Sequence, residues 1–205
     1  MPPSIRYRRE DVISAALSVV RRDGMDGLNA RALARELGCS TQPLFREFAS
    51  MAEIRQEVRR SAFDLYSDYI RKSASADRPR YKSAGMAYIL FARDEPELFK
   101  VAFMCDRSGG EPVDMRDDPN MPYVLDTIMS ATGFTREQAA SFHLRSWIYA
   151  HGLATMLATR YVNFTDEQLE SLLSDHFLAM KLLYQGRIDA GEPCDTLGPW
   201  PEQMR

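Results

Sequence analysis

Residues 28–48, LNARALARELGCSTQPLFREF, predict two short helices joined by a tight turn. Asn29 is a favourable N-cap for the first helix, whose apolar residues recur at helical spacing. Gly38 is placed to end that helix as a left-handed residue. Ser40 is placed to cap a second helix that begins at Thr41. The stretch therefore predicts a helix, a glycine turn and a second helix.

The spacing within this stretch is typical of a helix-turn-helix. Ala34 is small where the helices touch, Gly38 lies at the turn, and Leu44 is an apolar anchor behind the second helix. The second helix leaves polar side chains pointing outward, and such a helix fits the major groove of B-DNA. An ordinary helical hairpin is the alternative, because short matches also occur by chance.

The flanking sequence supplies further helices. An apolar stripe between residues 12 and 20, closed by an Asp-Gly pair, predicts a helix ahead of the two short ones. Three short helices can then share one core. Ser50 and Glu53 form a capping box that begins a long fourth helix. We therefore predict a three-helix DNA-binding domain over residues 1–50.

Residues 10–54, EDVISAALSVVRRDGMDGLNARALARELGCSTQPLFREFASMAEI, resemble the N-terminal domain of the TetR family of bacterial transcriptional regulators. The family usually ends this domain with Leu-Tyr-x-His-Phe and a lysine at the fourth helix. The family's tyrosine and lysine commonly hold DNA phosphates. Here Phe45 replaces the tyrosine, Glu47 the histidine and Met51 the lysine. Phe45 cannot donate a hydrogen bond, Glu47 repels phosphate and Met51 carries no charge.

Composition bounds the remainder of the chain. At 205 residues and 45% hydrophobic content, the chain can bury a sizeable core. Alternating β patterns are scarce, so we predict an all-α protein of about nine helices. Three irregularly spaced cysteines indicate no disulfide framework and favour a reducing, cytoplasmic location. Neither a signal peptide nor an apolar run near 18 residues is recognisable, so no membrane partner is expected.

Charge is distributed unevenly along the chain. The net charge is −3, which alone argues against a nucleic-acid binder. Residues 1–60, however, hold 11 arginines against 8 acidic residues, a balance of +3. Residues 61–205 hold 15 basic and 21 acidic residues, a balance of −6. This pattern fits a regulator in which only the N-terminal domain meets phosphate.

Several side chains are candidates for contact with a double-stranded DNA operator. Gln42 is suited to read adenine, and Arg46 guanine or phosphate. Arg31 lies where free helix N–H groups also favour phosphate. The basic arm before the first helix either touches DNA or is a solvated terminus. The predicted DNA-binding residues are Arg6, Arg8, Arg31, Ser40, Thr41, Gln42, Phe45 and Arg46.

The C-terminal part, residues 51–188, predicts a helical effector-binding and dimerisation domain. Two capping boxes, beginning at Thr135 and Thr165, start its last two long helices. The apolar stripes of these helices are wider than one neighbouring helix requires, so two subunits could close a four-helix bundle. The resulting homodimer would match a palindromic operator. We expect residues 189–205 to be a flexible tail.

Trp147, His151 and Gly152, together with the earlier Glu-Pro-Glu-Leu-Phe run at residues 95–99, resemble the Trp-His-Gly subclass of the family's C-terminal domains. This resemblance implies a pocket for a small-molecule effector. Residues 106–122 are expected to flank its mouth or to be disordered. Gly152 inside a helix predicts close helix contact. The predicted lining, for which core packing is the alternative, is Phe103, Met104, Cys105, Tyr123, Trp147 and His151.

No catalytic, metal or cofactor site is predicted. His143 and His151 lie two helical turns apart, too far to share a metal without other ligands. The chain has no nucleophile elbow, phosphate loop or His-Glu metal helix, so we predict no enzyme. The favoured function is a repressor that a small molecule releases from its operator. The alternative is a homodimeric interaction or ligand-binding module whose DNA binding is weakened or lost.

Overall fold

The computed structural model describes residues 7–73, 79–104 and 118–194. Over these ranges the chain forms nine helices and no strand, which confirms the predicted all-α class. The helices are α1 (Arg9–Gly27), α2 (Ala30–Leu37), α3 (Leu44–Glu47), α4 (Met51–Ser73), α5 (Arg80–Asp94), α6 (Pro96–Phe103), α7 (Met121–Thr132), α8 (Arg136–Ala158) and α9 (Asp166–Asp189). None of the helices in these ranges has the length and apolar character needed to cross a membrane.

The described residues divide into two compact units. The first unit takes its residues from Met1–Tyr66 and Phe91–Cys105, and the second from Ser67–Leu90 and Asp106–Arg205. Contacts therefore extend the first unit beyond the predicted boundary at residue 50. The extension arises because α4 continues without a break and α6 packs against α1.

The first unit is built on an apolar core shared by its short helices. Val12 and Val19 of α1, Leu33 of α2, Leu44 of α3 and Ile54 of α4 are all fully buried. Burial of each such side chain is worth about 1.5–3 kcal/mol relative to exposure. The core thus fixes the three short helices and the start of α4 as one body.

Helix α6 is held against α1 by an ion pair and a glycine. The Arg21 guanidinium donates two hydrogen bonds to the Glu95 carboxylate, at 2.8 Å and 3.0 Å. Gly24 kinks α1 with φ +71°, and a Cβ there would lie 3.1 Å from Oε2 of Glu97. Both the positive φ and the close carboxylate favour glycine at this position.

The second unit has its own aromatic core between α7, α8 and α9. Phe134, Phe142 and Tyr184 pack with ring centroids 5.5–5.8 Å apart. The fully buried Tyr184 hydroxyl lies 2.8 Å from Oγ of Ser141, so its polar atom is satisfied. The predicted capping boxes at the starts of α8 and α9 are both present.

The chain folds back after α9. Gly191 adopts φ +70°, and the Glu192 N–H donates to the Arg187 carbonyl at 2.8 Å. Cys194 is buried against the aromatic core, with its Sγ 3.9 Å from the Tyr184 carbonyl. The flexible tail predicted from residue 189 is therefore wrong for residues 189–194, because the apolar thiol returns to the core. The remainder of that prediction, residues 195–205, lies outside the described residues.

His143 of α8 is a neutral imidazole in the second unit. Its Nδ1 lies 3.1 Å from the Tyr81 hydroxyl, and the two rings meet edge to face. Burial lowers the pKa of His143 from 6.5 to about 4. The folded protein therefore stays unprotonated at His143 in a pH range where the unfolded chain binds a proton.

We expect acid to destabilise the protein through His143. The unfolded state takes up a proton as the pH falls below 6.5, so stability is lost between pH 6.5 and about 4. This one group accounts for a loss of about 3 kcal/mol. Urea unfolding at several pH values measures the effect. His143→Asn keeps an acceptor near the Tyr81 hydroxyl and should flatten this dependence; an unchanged slope would contradict the assignment.

Candidate nucleic-acid interface

Helix α2 begins and ends as its sequence predicts. Oδ1 of Asn29 accepts hydrogen bonds from the N–H groups of Arg31 and Ala32, at 3.1 Å and 3.0 Å. Gly38 ends the helix in the left-handed conformation, with φ 67° and ψ 31°. The Cys39 N–H then donates to the Ala34 carbonyl at 2.9 Å. These caps satisfy the orphan backbone groups and direct the chain into the turn.

Helix α3 begins at Leu44, so the predicted start at Thr41 with a Ser40 cap is wrong. The Leu44 N–H donates to the Thr41 carbonyl at 3.3 Å, which closes a turn before the helix. Pro43 is the N-cap residue and no side chain caps the helix. Proline disfavours the helical conformation at the residue before it, Gln42, and this delays the helix.

The outer surface of the turn and α3 is nevertheless exposed. Leu44 and Phe48 anchor α3 in the core. The side chains that point away from the core belong to Ser40, Thr41, Gln42, Phe45 and Arg46. Phe45 is a large apolar residue with 46% of its surface exposed. This is the exposure that contact with base edges in a major groove requires.

The predicted phosphate-contacting arginines have different surroundings. Arg8 is exposed beside the first turn of α1, where its N–H donates to Oδ2 of Asp11 at 2.8 Å. Arg31 is exposed at the start of α2. It lines a concave surface together with Asp23, Gly27, Asn29, Ala30, Ala32 and Arg35. Arg6 lies outside the described residues.

Arg9 is a central residue of this unit that sequence reasoning missed. Its guanidinium donates to Oε1 of Glu53 at 2.9 Å, to Oε1 of Glu57 at 3.0 Å and to the Glu47 carbonyl at 3.1 Å. It also lies 4.2 Å above the centre of the Phe48 ring. Arg9 thereby ties the start of α1 to the junction of α3 and α4. The spacing of the two glutamates by one helical turn places them on one face of α4 but does not indicate which arginine they bind.

The carboxylates around Arg9 reinforce this junction. The hydrogen bonds that Arg9 donates to the Glu53 and Glu57 carboxylates raise the pKa of Arg9. The Ala49 N–H, at 2.7 Å, and then Arg9 lower the pKa of Glu53. The ion pairs therefore hold both partners in their charged forms. The turn and α3 are therefore supported by charge-assisted hydrogen bonds as well as by the buried Leu44 and Phe48.

The predicted effector-binding residues are divided between the units. In the first unit, Phe103 packs against the rings of Phe63, Tyr66 and Phe99 at centroid distances of 5.0–5.9 Å. Met104 follows α6 and is exposed. This packing is the core role that we gave as the alternative for Phe103. Cys105 lies outside the described residues.

In the second unit, two of the predicted effector-binding residues come together. Trp147 stacks on His151 with ring centroids 4.9 Å apart. Nδ1 of His151 lies 2.8 Å from the Tyr88 hydroxyl. Burial lowers the pKa of His151, which favours the neutral imidazole. Tyr123 instead packs against the aromatic core around Phe142.

Gly152 does not mark a close contact within this chain. It is exposed, and a Cβ there would meet no described side chain within 4 Å. The expected close helix contact is therefore wrong for the single subunit. The face of α8 near it carries Ile148, which is 53% exposed. Helix α9 exposes Leu178 and Leu182, at 57% and 64%.

Comparison with known proteins identifies both parts of the chain. Residues 12–58 match the family of bacterial regulatory proteins of the tetR type. Residues 81–179 match the tetracyclin repressor-like C-terminal domain. The chain belongs to the TetR family. It is accordingly a DNA-binding transcriptional regulator, as its N-terminal sequence predicted.

Two individual proteins resemble this TetR-family regulator over nearly its whole length. An uncharacterized HTH-type transcriptional regulator of Mycobacterium tuberculosis is 24% identical over 195 residues, which are 93% of this chain and 88% of the relative. A variant of TetR from Acinetobacter baumannii AYE, solved in complex with minocycline, is 18% identical with a TM-score of 0.54. The alignment covers 91% of this chain and 99% of that one. The second likeness concerns the fold.

Proposed function

We propose that this regulator represses transcription as a homodimer on a palindromic operator, and that a small-molecule effector releases it. The observation that carries the proposal is the exposed surface of the turn and α3. The side chains suited to reading bases are exposed there, on a segment whose inner side is buried. Leu44 and Phe48 fix its inner side, and the Arg9 ion pairs fix its end.

In the proposed complex, different side chains contact the bases and the phosphates. Gln42 offers an amide for adenine and Arg46 a guanidinium for guanine. Arg8 and Arg31 supply charge for phosphates. Phosphate contacts set the position of the protein, whereas base contacts carry the sequence information.

The dimer is proposed to form through α8 and α9. Their outer faces expose Ile148, Leu178, Leu182 and Leu183, which a monomer would leave in water. Exposed large apolar side chains gathered on neighbouring helices often mark a protein–protein interface. The exposed Gly152 permits close approach of a second backbone. Pairing α8 and α9 with their symmetry copies would bury these apolar side chains in a four-helix bundle.

The effector is proposed to act through differential affinity. It must bind more tightly to a dimer whose two DNA-binding units are too far apart, or too close, to fit one face of the duplex. The proposed contacts in the second unit are Trp147 and His151, because Tyr123 packs against the core of that unit. Trp147 and His151 supply a stacked aromatic pair with one polar handle, which suits a planar organic molecule.

A helical interaction or ligand-binding module without strong DNA binding is the second candidate. It is favoured by Phe45, Glu47 and Met51, which together lack the hydroxyl and the positive charge that hold phosphate in related proteins. This candidate predicts a dimer with no salt-sensitive retention of DNA. Binding of a promoter fragment at several salt concentrations therefore separates the two functions.

We expect Arg31→Ala to weaken DNA binding of the dimer by a similar factor on all sequences and to reduce the salt slope by about 2, one for each subunit. Loss of one phosphate contact releases one fewer counterion per subunit. Fluorescence anisotropy with labelled duplex DNA measures the slope. Arg22→Ala is the matched control, since Arg22 is an exposed arginine engaged by Asp23 and Glu36. Equal slopes for the Arg31 variant and the wild type would contradict the assignment.

A further inference from the structure

We propose that Phe45 reads the 5-methyl group of one thymine in each operator half-site. This inference rests on the proposed DNA-binding function and adds a residue that determines base preference. It starts from an anomaly on the outer surface of α3. Phe45 is 46% exposed, although it has no polar atom for water or phosphate.

The neighbours of Phe45 place its ring within the base-reading set. Thr41 and Gln42 lie in the turn before α3, and Arg46 follows Phe45 directly. All three are exposed. Phe45 therefore lies among the side chains proposed to meet base edges. Leu44 and Phe48 face inward and are buried.

The chemistry of the major groove leaves one favourable partner for an aromatic ring. Base edges there present hydrogen-bond donors and acceptors, and the thymine methyl is the one apolar group among them. A phenyl ring gains nothing from a phosphate oxygen, because it has no donor. Contact with the methyl removes apolar surface from water on both sides.

Partial burial and a fixed backbone suit Phe45 to contact a base edge and not to intercalate between base pairs. About half of the surface of the Phe45 residue is covered by its own unit. The backbone that carries it is fixed where the Arg9 guanidinium meets the Glu47 carbonyl and the Phe48 ring. A side chain held in a fixed position contacts a thymine methyl group where one is present and leaves a gap where it is absent.

The test uses operator duplexes obtained with the wild-type protein by selection from random DNA. Each thymine of the half-site is replaced in turn by deoxyuridine, which removes only the methyl group. For the wild type we expect one position at which this replacement weakens binding about fourfold per half-site, the effect of one buried methyl. Replacement at the other thymines should change binding less than twofold.

A double-mutant cycle assigns the methyl to Phe45. With Phe45→Ala, the thymine and deoxyuridine operators should bind equally at the sensitive position, so the two changes are not additive. Phe45→Tyr keeps the ring and should keep the methyl dependence. Far-UV circular dichroism checks that both variants stay folded, as expected at an exposed site.

Three outcomes would overturn the proposal about Phe45. The first is a half-site with no preferred thymine, and the second is an effect of the methyl group that persists in Phe45→Ala. The third is an equal loss of affinity for all DNA sequences in Phe45→Ala, which indicates a sugar or phosphate contact. Each of these leaves sequence-selective DNA binding intact. If the wild type instead selects no sequence at all, the proposed function itself fails, and the two failures are thereby distinguished.

Discussion

Replacing Leu182 with glutamate is expected to convert the dimer to monomers and to weaken operator binding at least about 100-fold. Leu182 is 64% exposed in one subunit and lies one turn from Leu178, which is 57% exposed. In the proposed four-helix bundle both become buried. A carboxylate placed there loses its water and meets its symmetry copy nearby, which costs several kcal/mol.

The effect on DNA follows from the loss of avidity. Two half-sites bound by linked subunits gain affinity through a high effective concentration, often a factor of 10²–10⁴. A monomer keeps only the affinity of one half-site. Because Leu182 is exposed in the isolated subunit, the substitution should leave the fold of each chain intact. Circular dichroism checks this point.

Analytical ultracentrifugation and operator binding together measure the result for Leu182→Glu. Ala131→Glu is the matched control, since it adds the same charge at an exposed position on α7 of the same unit. The control should remain dimeric and bind DNA as the wild type does. A Leu182→Glu protein that stays dimeric at micromolar concentration would refute the proposed interface.

The second large effect is expected from Gln42→Ala combined with Arg46→Ala. Each bidentate contact to a base is worth about 1–3 kcal/mol of discrimination. Two such contacts in each half-site supply most of the preference for the operator. The double variant should therefore lose at least about 100-fold in its ratio of specific to non-specific affinity. Its non-specific binding should fall far less, because Arg8 and Arg31 remain.

A matched control for this variant is Gln56→Ala combined with Arg60→Ala. These residues have the same types and the same spacing, and they are exposed on α4. Competition between labelled operator and unrelated duplex DNA measures the ratio for both variants. Retained selectivity in the Gln42 and Arg46 variant would show that α3 does not read the bases. Equal losses in both variants would indicate a general effect of charge.

Local sequence signals predicted the helices well. Helical periodicity and helix caps depend on residues that are close together in the chain. The Asn29 cap, the left-handed Gly38 and the capping boxes of α8 and α9 could therefore be predicted without coordinates. The start of α3 was misplaced because Ser40 looked like a cap. The restraint that Pro43 places on the preceding residue prevailed over that signal.

Contacts between distant segments were less accessible from the sequence. Nothing local indicates that Arg9 reaches two glutamates more than 40 residues later. An aromatic residue at helical spacing, such as Phe103, fits a pocket and a core equally well until its neighbours are known. Gly152 likewise indicated a close contact, but a Cβ there would meet no described side chain within 4 Å.

In the proposed complex, the outer surface of α3 meets base pairs, with one copy from each subunit of a symmetric dimer. Selection of bound sequences from random duplex DNA by the full-length protein tests this arrangement. We expect an inverted repeat whose half-sites are centred about one helical turn, or a multiple of it, apart. The repeat should disappear when the Gln42 and Arg46 variant is used. Enrichment of no sequence by the wild type, or of a single site without two-fold symmetry, would contradict the account.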